Sequence, residues 1–449
     1  MTQSEQAAQA TTESDAIDEE SIGNEDAPGL QPEATRLVAD LERLGAIGAD
    51  PNGTGVSRLP FSREEREAHR VIREWMRDAD LEVRTDSFGN TIGVRAGTNN
   101  DLPAIGIGSH LDSVPHGGRF DGAVGVVGAL EVIRMLNESD IRTERPIWVV
   151  AFASEEGARF GEPCLGSRAV SGVLEPSDLD RLHDASGTTL ADAMRDLGMD
   201  PNALASCRWR REEIDVFLEL HIEQSVVLEA QGMPVGLVDA IAGNTRIRLT
   251  MRGRADHSGG TPMHYRKDAL AAAAEVVIAA ESIANEKRRR ATVATVGRID
   301  NYPNSITTIS GQVEFFLDVR DVDSDRQRLT AEDIMDAATQ IAARRGVEFE
   351  AELVSDTSPT VLPMWLRDLM IGVCDRLEIP HRIMPSGAGH DAGILSRFIP
   401  SGMVFVPSRD GFSHSPDEWT SVEDIAIGVR VLGESVLRVD GFLTELAAS

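Results

Sequence analysis

The chain has 449 residues, 41% of them hydrophobic and 26% charged, enough apolar content to bury cores in two or three domains. No stretch approaches the ~18 uninterrupted apolar residues of a membrane span, so membrane insertion as a helix is excluded. With 74 acidic against 44 basic residues the net charge is -30, which argues against a nucleic-acid partner, because phosphate binding runs on a basic surface.

Of the basic residues only Lys267 and Lys287 are lysines; the rest are arginines. An acid-rich, lysine-poor chain with few cysteines resembles proteins of high-salt cytoplasm. There, screening relieves self-repulsion and hydrated carboxylates keep the surface soluble. A GC-rich genome with an acidic bias would give the same composition. Cys164, Cys207 and Cys374 are odd in number and widely spaced, with no CxxC, so neither a disulfide framework nor a thiolate zinc site is expected. The N-terminus lacks a basic segment followed by an apolar one, so no secretory signal is read and the expected compartment is the cytoplasm.

In chain order, residues 1–28 are rich in Gln, Ser, Thr, Glu and Asp. They offer too little apolar surface to offset ordering entropy and are expected to form a disordered acidic tail. An amphipathic helix is predicted from near Pro32, with Leu37, Leu41 and Leu44 on one stripe, and a second from Arg63 to Asp80. Short apolar runs then alternate with helical patterns. Ala104–Ser109, Ile147–Ala153, Asp215–Leu220 and Gly402–Val406 read as buried strands, and Gly122–Asn137 as a helix. Strands joined by helical crossovers imply an α/β domain with a mostly parallel sheet, whose sites form beyond the carboxyl ends of the strands.

The middle of the chain differs. Arg246–Arg252 alternates polar and apolar, Lys267–Asn285 is an alanine-rich helix, and Ala291–Asp300 and Gln312–Asp321 read as strands. Ala331–Arg345 reads as a helix and Val347–Ser355 as a strand. This β-α-β-β-α-β order is that of a ferredoxin-like module. We therefore expect a discontinuous α/β domain over 29–234 and 358–449, interrupted by an α+β insertion over 235–357.

Chemistry-bearing residues cluster where strands end. The first strand runs into Ser109-His110-Leu111-Asp112, followed by Phe120-Asp121-Gly122. The second ends in Ser154-Glu155-Glu156-Gly157, the third in His221-Ile222-Glu223-Gln224, and the last is followed by Phe412-Ser413-His414-Ser415. Three histidines and two carboxylates converging on one rim suit a paired divalent site with one carboxylate bridging. A spare Glu suits a general base, and Asp112 suits a carboxylate that orients a ligating His. Taken singly, such residues are mostly structural or solvated; an acidic pair directly after an apolar strand is hard to explain as surface charge. His69, His183, His264 and His381 read as surface or packing residues, His116 as a weak ligand candidate, and Cys164 as a small buried apolar residue.

These segments, taken with Gly108-Ser109-His110-Leu111-Asp112-Ser113-Val114, resemble the M20 metallopeptidase-related amidases, and within them the hydantoinase/carbamoylase branch. The similarity runs in order from about residue 33 to the end. It implies a metal-dependent exopeptidase-like catalytic domain with an inserted lid and dimerisation domain, and two divalent ions per chain, Zn or Mn, Co or Ni. One would take His110, Asp121 and His221, the other Asp121, Glu156 and His414, with Glu155 as general base. The resemblance also implies that Arg320 binds a substrate carboxylate, that Gln224 contacts substrate, and that His257 stabilises the tetrahedral intermediate, often from the neighbouring subunit of a homodimer. Asn304 lies in Pro303-Asn304-Ser305-Ile306-Thr307, where Thr307 replaces a second Asn usual in the branch, a departure bearing on substrate identity. His390, in Gly387-Ala388-Gly389-His390-Asp391, is expected to support the site. The implied reaction is hydrolysis of a C–N bond in a linear ureido acid: an N-carbamoyl amino acid, N-carbamoyl-β-alanine or allantoate.

Rival readings fare less well. The chain has no GxSxG elbow for a serine hydrolase, and neither lysine follows a glycine as a P-loop requires. A peptidase of the same superfamily would share fold and metals. A metal-free binding protein would not need all five ligands and a base.

Overall fold

The computed structural model describes residues 29–53 and 55–448, so the expected disordered tail lies outside the described residues. The first helix, Ala34–Gly45, starts where the Glu33 carboxylate accepts the N–H groups of Thr35 and Arg36. It buries Leu37, Leu41 and Leu44, as the periodicity predicts. Ser62 caps the second, Arg63–Asp78, through the Glu65 N–H.

A nine-stranded sheet carries the larger part of the chain. Its strands are β1 (Glu82–Thr85), β2 (Thr91–Arg95), β3 (Ala104–His110), β4 (Ile147–Phe152), β5 (Ile214–Ile222), β6 (Val235–Ile241), β13 (Thr360–Val361), β14 (His381–Ser386) and β15 (Ser401–Val406). The order is β1-β2-β4-β3-β5-β15-β6-β13, with β14 also on β6. The four central strands β4, β3, β5 and β15 run parallel, and antiparallel partners flank them. Both faces are covered, which is why β3 and β4 read as unbroken apolar runs. Ile147, Val149 and Ala151 of β4 enter one core with the helices Ala34–Gly45, Ala123–Glu138 and Val422–Ala448. Trp148, Val150 and Phe152 enter the other, with Trp209 and Phe217.

The middle of the chain forms a second sheet from β7 (Gly243–Arg252), β9 (Val293–Tyr302), β11 (Gln312–Asp321) and β12 (Glu348–Thr357), in the antiparallel order β12-β7-β11-β9. Helices Ala269–Ala284 and Ser324–Arg345 cover one face, burying Leu249, Phe315, Leu317, Val276 and Ile334 between them. This is the ferredoxin-like pattern. A short pair, β8 (Asp256–His257) and β10 (Thr308–Ile309), stands apart.

Two expectations need correction. The helix expected from Ala331 begins at Ser324, because Asp323 caps the N–H groups of Asp325 and Arg326; its polar first turns conceal the apolar stripe. The switch into the second sheet comes later than residue 235. Val235–Ile241 pairs with β14 and β15 in the large sheet, and only Ala242 separates β6 from β7. The Gly243-Asn244 pair at that boundary opens β7 instead of forming a turn. The exit lies next to it, since Thr360 of β13 pairs with Ile241.

Candidate active site

The carboxyl ends of the parallel strands bring the five ligand candidates together. His110 is the last residue of β3 and His221 the penultimate residue of β5. Their Nε2 atoms lie 3.4 and 3.1 Å from Asp121 Oδ1. His414 Nε2 lies 3.4 Å from Asp121 Oδ2 and 3.1 Å from Glu156 Oε2. Asp121 therefore offers one oxygen to each of two triads, and within each triad the ligand atoms lie within 4.8 Å of one another.

The local backbone explains the convergence. Asp121 opens the helix Ala123–Glu138 through Gly122, whose φ is +64°, and a Cβ on Gly122 would stand 2.5 Å from the His110 ring. Only glycine lets the helix start this close to the His110 ring. Ser154, Gln224 and His414, one after each of three strand ends, all have φ between +55° and +61°. Such backbone strain gathers at functional sites.

His110 Nδ1 faces the Asp112 carbonyl at 3.2 Å and His221 Nδ1 the Ile222 carbonyl at 2.9 Å. A carbonyl only accepts, so Nδ1 carries a proton and Nε2, beside Asp121, is the nitrogen left for a cation, the arrangement a metal ligand requires. His221 Nε2 and Glu156 Oε1 are buried without hydrogen-bond partners. Orphaned donor atoms facing a shared carboxylate fit divalent cations, and imidazole with carboxylate, without thiolate, suits Zn, Mn, Co or Ni. Without a cation, Asp121 and Glu156 push His414 up to about 11, so metal binding at this position displaces a proton.

Glu155 is buried, its Oε2 3.8 Å from His110 Nε2. Burial pushes its carboxyl well above the usual range, and Asp391, Glu156 and Asp112 add to the shift. A carboxyl held this way can carry a proton near neutral pH, as a general base must after its first step. Asp112 holds the acidic pair by accepting the N–H groups of both Glu155 and Glu156, and its Oδ1 lies 3.5 Å from His110 Nδ1. Cys164 is buried, as expected, and its thiol donates to Glu155 Oε1 at 3.0 Å.

The substrate candidates are placed unevenly. Gln224 sits in the site, its Nε2 2.8 Å from Asp121 Oδ2 and its Oε1 buried and unpartnered. His390 is buried against His221, ring centroids 4.6 Å apart, with Nε2 2.8 Å from Ser386 Oγ; it backs a ligand candidate and does not face open space. Arg320 closes β11 in the second sheet, gripped at 3.1 Å by both oxygens of Asp318, and reaches the Gly387 carbonyl at 2.9 Å. His257 and Asn304 are exposed at one corner of the insertion, where Ser258 N–H donates to the Thr307 carbonyl. Among the described residues, His257 belongs to no metal-binding cluster.

Several participants were not singled out from sequence. Glu418 supports Asp121 through backbone N–H groups; in Pro416-Asp417-Glu418-Trp419 it reads as a solvated turn. Glu219, which accepts from Ser109 Oγ and Ala392 N–H, did leave a signal, being a charge inside an apolar strand on the same face as His221. Arg58 is fully buried with its guanidinium on the carbonyls of Leu111, Leu44 and Ile47. Burial pulls it down to about 10, opposed by Asp112, Glu418, Glu65 and Asp121.

A family model described as peptidase family M20/M25/M40 matches residues 106–438. The chain belongs to the M20 family. Among its relatives, an N-carbamoyl-L-amino acid amidohydrolase of Geobacillus stearothermophilus is 42% identical over 89% of this chain and 97% of its own length. An allantoate amidohydrolase of Escherichia coli is 35% identical over 87% and 94%. A crystal structure of an amidase of the hydantoinase/carbamoylase family from Burkholderia multivorans superposes with a TM-score of 0.82 at 35% identity, covering 91% of this M20 chain and 98% of that one.

Proposed function

We propose that this M20 chain hydrolyses a C–N bond of a linear ureido acid, an N-carbamoyl amino acid or a related ureido carboxylate, releasing ammonia with CO2 or a ureido product. The observation that carries the reading is Asp121 shared between two ligand triads beside the buried carboxyl of Glu155. Similarity to amidohydrolases of N-carbamoyl amino acids and of allantoate supports the substrate class.

His110, Asp121 and His221 would hold one cation, and Asp121, Glu156 and His414 the other. When bound, the cations supply Lewis acidity at the scissile carbonyl and acidify the attacking water. Glu155 takes the proton of that water and returns it to the departing nitrogen. Asp112 keeps Glu155 and Glu156 in register, and Gln224 orients the reacting end of the substrate. Arg320, its plane fixed by Asp318, grips the substrate carboxylate with two parallel hydrogen bonds. The insertion then acts as a lid, bringing Arg320 and the metal rim onto one substrate. The exposure of His257 supports a role completed by a second copy of the chain, so a homodimer is part of the proposal.

The test is ammonia release from N-carbamoyl α-amino acids, N-carbamoyl-β-alanine and allantoate, with dipeptides alongside, each with Zn, Mn, Co or Ni added back to chelated enzyme. Turnover of a ureido acid is expected. Turnover of dipeptides alone would assign the chain to the peptidase side of the family.

A further inference from the structure

Glu418 is a nearly fully buried carboxylate with no part in the proposed reaction. Its Oε1 accepts the N–H groups of Phe120 at 2.8 Å and Asp121 at 3.0 Å, and its Oε2 lies 3.3 Å from Ser413 Oγ. One side chain thus joins the segment that presents Asp121 to the loop that presents His414. The chain makes room for it. A Cβ on Gly118 would fall 2.0 Å from both the carboxyl carbon and Oε1 of Glu418, so glycine at 118 is the space this carboxylate occupies.

The loop it restrains needs restraint. His414 has φ +55° and Asp410 φ +55°, conformations a non-glycine residue keeps only when its surroundings impose them. His414 is also the most exposed of the five ligand candidates, its side chain 49% accessible against 5% or less for the others. Ser413 adds a specific link. Its single hydroxyl hydrogen has two carboxylate acceptors, Asp121 Oδ2 at 3.0 Å and Glu418 Oε2 at 3.3 Å. A cation drawing on Asp121 Oδ2 would leave that hydrogen to Glu418, which tightens the loop as the site fills.

We infer that Glu418 is a positioning residue that secures the Asp121–Glu156–His414 cation position, by clamping the Asp121 backbone and the His414 loop to each other. The inference rests on the proposal that these three residues hold a cation. The position shared by His110 and His221 depends on it less, because both histidines are fixed by their own strands.

The experiment is metal titration of the chelated full-length chain with zinc, read by calorimetry and by elemental analysis after gel filtration, for wild type, Glu418→Ala, Glu418→Gln and Gly118→Ala. Wild type is expected to bind two equivalents. Glu418→Ala should weaken the second about 10–100-fold, the usual cost of removing a group that orients a ligand, and weaken the first, which shares Asp121 but keeps its two strand-held histidines, by distinctly less. Gly118→Ala, which leaves Glu418 in the sequence but displaces it, should do the same. Glu418→Gln keeps an acceptor for the two N–H groups and should recover most of the loss. Wild type without a second equivalent would overturn the reading of the site and this inference with it. Two intact equivalents in both Glu418→Ala and Gly118→Ala would overturn this inference alone, as would parallel loss of both equivalents in chains that still melt cooperatively. If Glu418→Ala does not fold, Gly118→Ala and Glu418→Gln decide by the same criteria.

Discussion

Asp112 Oδ1 accepts the backbone N–H of Glu155 at 2.8 Å, so the proposed base is aimed by a carboxylate on the neighbouring strand end. The second oxygen of Asp112 does the same for Glu156 at 2.9 Å. The proposed base and the proposed metal ligand thus share one anchor, and a change to the Glu155 side chain alone leaves that anchor intact.

Glu155→Gln should therefore fold, keep its metals and lose turnover by about 10³-fold, within the usual range for removing a positioned base. Elemental analysis and kcat together check this. A variant retaining more than about a tenth of the wild-type rate would remove Glu155 from the role.

Asp121→Ala should empty both cation positions, since each triad uses one of its oxygens. Metal content per chain should fall from two toward none. Two ions retained after this change would sink the dinuclear reading.

Arg320→Lys keeps the charge but loses the fork held by Asp318. KM should rise at least about tenfold, the scale of one lost charge-assisted hydrogen bond, and kcat should fall too if lid closure depends on the grip. Mixing inactive Arg320→Ala with inactive His257→Ala should restore activity through heterodimers carrying one intact composite site. With chain exchange verified, an absence of recovery would place His257 in its own chain's site or outside catalysis.

The net charge of -30 should make stability depend on salt. The melting temperature should drop markedly between molar salt and dilute buffer. Superimposable melting curves would reject adaptation to high salt.

His69 gives a pH dependence away from the metals. Its ring is fully buried, with Nδ1 2.9 Å from Thr91 Oγ1. Burial, helped by Arg66 and Arg73, holds it well below 6.5. The unfolded chain then binds a proton below about pH 6.5 that the folded chain refuses, so stability present above that pH is lost as pH falls, by up to about 1.4 kcal/mol per unit. His69→Gln should lose less on going from pH 7 to 5.5, measured by urea midpoints. Equal losses in both chains would show that His69 is not the source.

The rim of the site was legible because its residues interrupt something regular. His110, Glu155, Glu156 and His221 end or follow apolar strands, and a polar group there has to face the rim. The inserted module was legible from two periodicities in sequence. Glu418, Arg58 and Glu65 were not, for a shared reason: they act on backbone groups of remote segments. Glu65 holds Ser154 N–H from 89 residues away and Glu418 holds Asp121 N–H from 297. Local pattern carries no trace of such pairings. The passage from β6 to β7 was hidden because one continuous extended segment serves two sheets.

That passage has a consequence for how such a molecule can be taken apart. Ile241 and Thr360, the residues on either side of the insertion, are antiparallel partners on adjoining strands. Joining them by a tight turn would convert β6 and β13 into an ordinary hairpin and leave their pairing intact. The four-stranded unit is thus grafted into a loop between neighbours, an arrangement that lets a module be gained, exchanged or excised while its host keeps its core.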